Sequence, residues 1–114
     1  MSLEINITEY NHATLLEVAG RIDSVSADEF GAALTSVLDK GQDRIVIDCS
    51  QLTYLSSAGL RELVSARKRA VEDSVRGDVR IAAPSEKVMH VLEMSGLVKV
   101  FEVYTTQVEA VDSF

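Results

Sequence analysis

The 114-residue chain holds one cysteine, one proline, two histidines and no tryptophan. A single cysteine cannot form an internal disulfide, so the fold must stand on its apolar core, and a chain of this length can build one. Cys49 falls in the most apolar stretch and reads as a small, reduced core residue. With one thiol, and with His12 and His90 far apart in sequence, no zinc-ligand spacing is present. Basic residues are also outnumbered. Eleven Lys and Arg stand against 18 Asp and Glu, a net charge of −7, which leaves no basic face to neutralise a nucleic-acid backbone. No run approaches the ~20 apolar residues of a membrane span, and no signal peptide opens the chain. The expectations are no nucleic acid, no membrane insertion and a cytoplasmic location. Met1-Ser2-Leu3 can be read as partly an expression remnant.

Repeats, low-complexity tracts and linkers are missing too, and Pro84 marks an element boundary. What is present is ordinary globular composition, 46% hydrophobic and 25% charged, in one expected domain over residues 1–114. Leu3, Ile5 and Ile7 alternate with Glu4, Asn6 and Thr8, the pattern of a half-buried strand. Asn11-His12 is a short turn and Ala13–Ala19 a second strand, so the two form an antiparallel hairpin. Gly20-Arg21-Ile22-Asp23 breaks the pattern. Ser24–Lys40 then reads as a helix with Phe30, Ala33, Leu34, Val37 and Leu38 on one stripe. Ser26 and Glu29 have capping-box spacing, Ser24 is an equally good cap, and Gly41 ends the helix.

Ile45-Val46-Ile47 is a continuous apolar run, as in a strand covered on both faces, and a polar turn follows it. The second helix spans about Ser57–Asp73, with Leu60, Leu63, Val64 and Val71 inward and Ala70 beside them. Its basic cluster, Arg67-Lys68-Arg69, reads as a solvated face. Val79–Ala83 is a buried strand. A third helix, Ser85–Ser95, carries Val88, Val91 and Leu92 and stops at Gly96. Val98–Tyr104 is a weak last strand, and Thr106 with Glu109 caps a short helix bearing Val108 and Val111. The order β-β-α-β-α-β-α-β-α is an α/β fold: a mixed sheet, antiparallel in its first hairpin and parallel in the βα units beyond, with helices packed on it.

Chemistry is sparse. The window Leu55-Ser56-Ser57-Ala58-Gly59 lacks the G-x-S-x-G elbow of a serine hydrolase, and neither histidine has a context that recommends it as a base. No Walker A or G-x-G-x-x-G pattern occurs. Asp23 and Asp48 end elements near the carboxyl edge of the sheet and read as cap or turn residues. An enzyme is not expected. The feature that stands out lies within Arg44–Val71, where Ser56 and Ser57 sit at the N-terminal end of a helix, whose unpaired N–H groups and dipole favour negative charge. A serine there is either a cap or a site built to carry a phosphate.

Asp48–Leu60, DCSQLTYLSSAGL, resembles the signature of the STAS domain family, whose single-domain members are bacterial anti-sigma factor antagonists. Gly20–Asp23 resembles the family's turn after its second strand, and Val91–Leu97 followed by Phe101 resembles its third-helix exit. The element order is the family's as well, so the resemblance spans nearly the whole chain. The family loop commonly reads Asp-Ser-Ser/Thr-Gly, with the serine after the Asp phosphorylated. By position, the resemblance implies Ser57 as phospho-acceptor, Ala58 in the Ser/Thr place and Gly59 as the fixed glycine. Ser56 stands where the Asp would be, which removes an acidic neighbour and makes Ser56 a competing acceptor.

The resemblance also implies a partner, an anti-sigma factor with a histidine-kinase-like ATPase fold that doubles as the serine kinase. Unphosphorylated antagonist would bind it and free the sigma factor; phosphorylated antagonist would let go. A PP2C-type phosphatase would reset the switch. ATP and Mg²⁺ belong to the partner, so the chain is expected to need no cofactor of its own. The implied contact surface is Asp23, Leu55, Ser56, Ser57, Ala58, Gly59 and the exposed face of the second helix with Arg61 and Glu62. The alternative keeps the fold without the switch: an adaptor subunit in a lipid-transport or stress-sensing complex.

Overall fold

The computed structural model describes residues 3–114; Met1 and Ser2, and with them most of the suspected expression remnant, lie outside the described residues. Leu3 is buried in the core. Strand β1 (Glu4–Glu9) pairs antiparallel with β2 (Thr14–Ile22), from Glu4 opposite Ala19 to Glu9 opposite Thr14. Only half of the β1 alternation is used: Ile5 packs against the core, whereas Ile7 stays 42% exposed on what is the edge strand of the sheet. β2 does not stop at Ala19. It continues through Gly20, Arg21 and Ile22 because β3 (Arg44–Leu55) runs beside it in parallel and supplies hydrogen-bonding partners that local pattern cannot reveal. The register shifts between Glu17 and Ala19 and again between Gly20 and Arg21. Gly20 takes φ +103°, a backbone conformation that residues with a Cβ resist.

Helix α1 (Ala27–Asp39) starts three residues later than its periodicity suggested. The capping box is not formed: Ser26 has helical dihedrals and makes no side-chain cap bond, its hydroxyl donating instead to the Arg21 carbonyl at 2.7 Å. The expected stripe is otherwise in place, with Phe30, Leu34, Val37 and Leu38 buried and Ala33 against the core. β3 is twelve residues long, so the expected polar turn after Asp48 is strand. It leads into helix α2 (Ser57–Asp73) with Ser56 alone between them.

Strand β4 (Asp78–Ala82), helix α3 (Glu86–Met94), strand β5 (Val103–Tyr104) and helix α4 (Gln107–Asp112) complete the chain. Ser85 and Thr106 cap α3 and α4 by accepting from the Val88 and Glu109 amides. The expected Val98–Tyr104 strand is shorter, because Leu97–Lys99 forms a 3-10 turn and only two residues pair with β4.

The sheet order is β1-β2-β3-β4-β5, antiparallel at the first pair and parallel at the other three, as the sequence led one to expect. Helices α1, α2 and α3 share one core with one face of the sheet, through Phe30, Leu34, Leu63, Val88 and Leu92 against Ile45, Ile47 and Ile81. The other face carries a smaller cluster in which Ala110 and Val111 of α4 cover Leu15, Val46 and Ala82. Ile45-Val46-Ile47 is thus buried on both sides. On α4 Val108 faces outward, 65% exposed, while Ala110 and Val111 face the sheet.

On α2 the inward stripe is Gly59, Leu63, Ala66 and Ala70, with Leu60 part-buried; Val64 and Val71 are exposed, against expectation. Small residues let the helix lie close to its neighbours, so the alanines are inside and the valines one position round are outside. The Arg67-Lys68-Arg69 face is not simply solvated. Arg67 lies 3.1 Å from the Asp78 carboxylate, and Arg69 bridges Asp39 at 2.8 Å and Asp73 at 3.4 Å.

Candidate functional site

The junction of β3 and α2 is built by the extra length of β2 and β3. Leu55 is paired with Ile22, and the Ser56 amide donates to the Ile22 carbonyl at 2.8 Å, the last rung before both chains turn away. Asp23 follows Ile22 directly, so the β2–α1 turn and the start of α2 lie side by side. Leu55 points into the core.

Ser56 is the N-cap of α2. Its backbone is extended at φ −84° and ψ 168°, its hydroxyl accepts from the Gly59 amide at 3.1 Å, and its carbonyl accepts from Leu60 at 3.0 Å. The side chain is half-buried. Ser57 is the first helical residue, is exposed, and its hydroxyl makes no hydrogen bond among the described residues. Ala58 packs against the core edge. Gly59 is buried where a Cβ would come within 2.6 Å of Ile22 Cγ2 and 2.7 Å of Leu55 Cδ1, so only glycine lets α2 start this close to the two strands.

Asp23 organises the neighbouring turn. Its Oδ1 accepts from the amides of Val25 at 3.0 Å and Ser26 at 2.9 Å, and the Ser26 hydroxyl accepts from the Asp23 amide at 3.0 Å. The Ser26 amide first, then its hydroxyl and the Val25 amide, hold the Asp23 carboxyl below its ordinary pKa. That turn presents Val25, 83% exposed, a residue assigned to helix from the sequence and so missed. The available signal was an apolar residue between two turn-forming serines.

Arg61 is exposed, whereas Glu62 is not on the exposed face expected for it. Its carboxylate is turned over Gly31 of α1, where the missing Cβ leaves room. The exposed residues of α2 at helical spacing are Ser57, Arg61, Val64, Ser65, Lys68, Val71 and Glu72, and neither Arg61 nor Lys68 has an ion-pair partner within 4 Å among the described residues. A protein of net charge −7 therefore presents, from Ser57 to Lys68, a stripe with two cations and no exposed acid, and it begins at a hydroxyl with no hydrogen-bond partner among the described residues. Beside it, the Arg21 guanidinium stacks 4.3 Å from the Tyr54 ring centre at an open groove of about 520 Å³ that Leu55, Lys87 and His90 also line.

Asp48, expected at an element end, is instead buried within β3. Its carboxylate accepts from the Ser50 amide at 2.8 Å and from the Gln107 side chain at 2.6 Å, which anchors α4 to the sheet. Cys49 is buried in the main core, and burial pushes its thiol up to about 12. Among the described residues, no group of three or more His, Cys, Asp or Glu is placed to hold a metal ion, and no helix is long and apolar enough to cross a membrane.

The sequence profile of the STAS domain matches residues 4–110. BtrV of Bordetella bronchiseptica, provisionally named as an anti-sigma factor antagonist, is 33% identical over 95 residues, covering 83% of this chain and 80% of BtrV. An anti-sigma factor antagonist from Mycobacterium paratuberculosis superposes with a TM-score of 0.88 at 23% identity, covering 98% of this chain and 93% of that one. The anti-sigma factor antagonist SpoIIAA superposes in its unphosphorylated form with a TM-score of 0.82 at 18% identity, covering 96% and 95% of the two chains. Phosphorylated SpoIIAA, from Bacillus, does so with a TM-score of 0.74 at 18% identity, covering 96% and 98%. At such identities the solved structures speak to the fold.

Proposed function

The chain belongs to the STAS domain family, and from that premise we propose that it is an anti-sigma factor antagonist switched by phosphorylation of Ser57. It acts as a binding regulator, not an enzyme. Unmodified, it binds an anti-sigma factor that is also a serine kinase of histidine-kinase-like ATPase fold, and the sigma factor is released. The contact surface is Asp23 with its turn, the loop Leu55, Ser56, Ser57, Ala58 and Gly59, and the stripe that Arg61 continues; Glu62 contributes by bracing α2 on α1. A PP2C-type phosphatase restores the hydroxyl. ATP and Mg²⁺ are the kinase's, and the chain supplies only the acceptor.

The observation that carries this reading is the division of work between the two serines. Ser56 is half-buried and occupied as the cap, while Ser57 is exposed and its hydroxyl is unengaged among the described residues. The names of the relatives support the regulatory role, and SpoIIAA exists in both unphosphorylated and phosphorylated forms. A phosphate adds about −1.5 to −2 charges and three acceptor oxygens at neutral pH. The first turn of α2 tolerates that charge, so the domain stays folded. A partner surface packed on the hydroxyl cannot take it without steric conflict and desolvation.

Site-resolved phosphopeptide mass spectrometry of the protein from its native host, in growth and under stress, tests the proposal. Phosphate on Ser57 whose occupancy changes with condition is the expected result. Phosphate confined to Ser56 overturns the residue assignment, and none under any condition, with full coverage of the Leu55–Arg61 peptide, overturns the switch.

A further inference from the structure

Arg61 lies four residues after Ser57 on the exposed face of α2 and forms no ion pair among the described residues. Its neighbours on the helix surface, three and four positions away, are Ser57, Ala58, Val64 and Ser65, all uncharged. The adjacent carboxylate in sequence, Glu62, is turned onto Gly31 of α1. Long helical side chains lean back toward the N-terminus, which directs Arg61 over the turn that carries Ser57. Of those four surface neighbours, Ser57 is the one proposed here to acquire a charge.

We infer that Arg61 is the intramolecular clamp of phosphorylated Ser57, so that modification withdraws a cation from the partner-facing stripe while it adds a dianion. The inference rests on Ser57 being the acceptor. In the transfer, the γ-phosphorus of the partner's ATP bonds to Ser57 Oγ, the bond to ADP breaks, and the hydroxyl proton passes to the kinase. The new dianion stands four residues N-terminal to Arg61, the favoured order for a helical ion pair. A guanidinium meets phosphate oxygens through two parallel hydrogen bonds. Ser56 is a neutral cap, so no carboxylate at that position repels the phosphate or competes for Arg61. The surface that meets Arg61 before modification is, by the same chemistry, acidic. Release then has two causes: a charge the partner cannot accommodate, and a cation it no longer finds.

Phosphoserine installed at position 57 by genetic-code expansion tests the clamp whether or not any kinase uses the site. In a ³¹P NMR titration of the otherwise unaltered chain, the second phosphate pKa is expected below the ~6 of an unperturbed phosphoserine. Arg61→Gln should raise it by about 0.3, and Arg61→Lys, which keeps the charge, should restore most of the difference. Only the arginine form should also show its Hε resonance shifted and slowed in exchange on phosphorylation. Equal phosphate pKa values in the arginine and glutamine forms, or an Hε resonance indifferent to the phosphate, would overturn the clamp. Amide spectra verify that each variant is folded. Because the phosphate is installed and not enzymatic, this titration and the mapping of native phosphate can fail independently.

Discussion

Ser56 and Ser57 are adjacent and chemically identical, yet the backbone gives them different work. Ser56 is extended and spends its oxygen on the Gly59 amide; Ser57 has entered the helix and its hydroxyl has no partner among the described residues. Ser56→Ala is therefore expected to cost about 1 kcal/mol of stability, the usual loss of a serine N-cap, in urea denaturation. Ser57→Ala should lie within about 0.5 kcal/mol of the parent, as surface substitutions do. Equal losses would mean that the two hydroxyls share the cap. Either residue fits a cap from composition and position alone. The choice is made by which of them takes the last rung with Ile22, and that rung belongs to another strand.

At the scale of elements, the site is a meeting of two turns, held by the unusual length of β2 and β3. Local pattern foretold short strands because Gly20, Arg21 and the polar Ser50–Thr53 run do not look like a sheet; parallel pairing between them makes it one. The Asp23 turn can be tested by itself. Asp23 is expected to titrate below its ordinary 3.8 in a ¹³C NMR titration, and Ser26→Ala should bring it part of the way back up, since it removes the hydroxyl 3.1 Å from the carboxylate and keeps the amide that contributes most. A depressed folded pKa means that the stabilising contribution is present above the unfolded value and is lost as pH falls through the folded one. The turn should therefore loosen on acidification, reported by the Val25 and Ser26 amides. A Ser26→Ala variant with an unmoved Asp23 would show that the hydroxyl takes no part in the shift and that the backbone amides set it.

At the scale of the molecule, the described residues form a sheet covered by three helices on one face and by α4 alone on the other. Cys49 lies within the larger core, which makes it a reporter on global opening. Its thiol, pushed up to about 12 by burial first and by the neighbouring Asp48 charge second, stays protonated and inaccessible. Labelling by a disulfide reagent at pH 8 is expected to be at least a hundredfold slower in the native protein than in urea and to track global unfolding. Prompt labelling of native protein would mean that β3 opens locally. The raised pKa also works against the fold in alkali: the unfolded thiol ionises near 9.0, so the contribution of Cys49 falls as pH rises from there toward 12. A Cys49→Ala variant should lack that part of the pH dependence.

The sequence by itself determined the element order, the mixed sheet, the extent of α2 and the family, because hydrophobic periodicity, turn chemistry and the Asp48–Leu60 motif are all local in the chain. Tertiary structure decided what depends on residues far apart: the continuation of β2 and β3, the loss of the α1 capping box to the Asp23 turn, and the turning of Glu62 onto Gly31. It also decided that Val64 and Val71 stay outside while Ala66 and Ala70 go in. Periodicity names the apolar residues of a helix, but the neighbour's shape sets how close the helix can come. Here the close approach of α2 at Gly59 selected the small residues for the inside and left Ser57 and Arg61 facing outward.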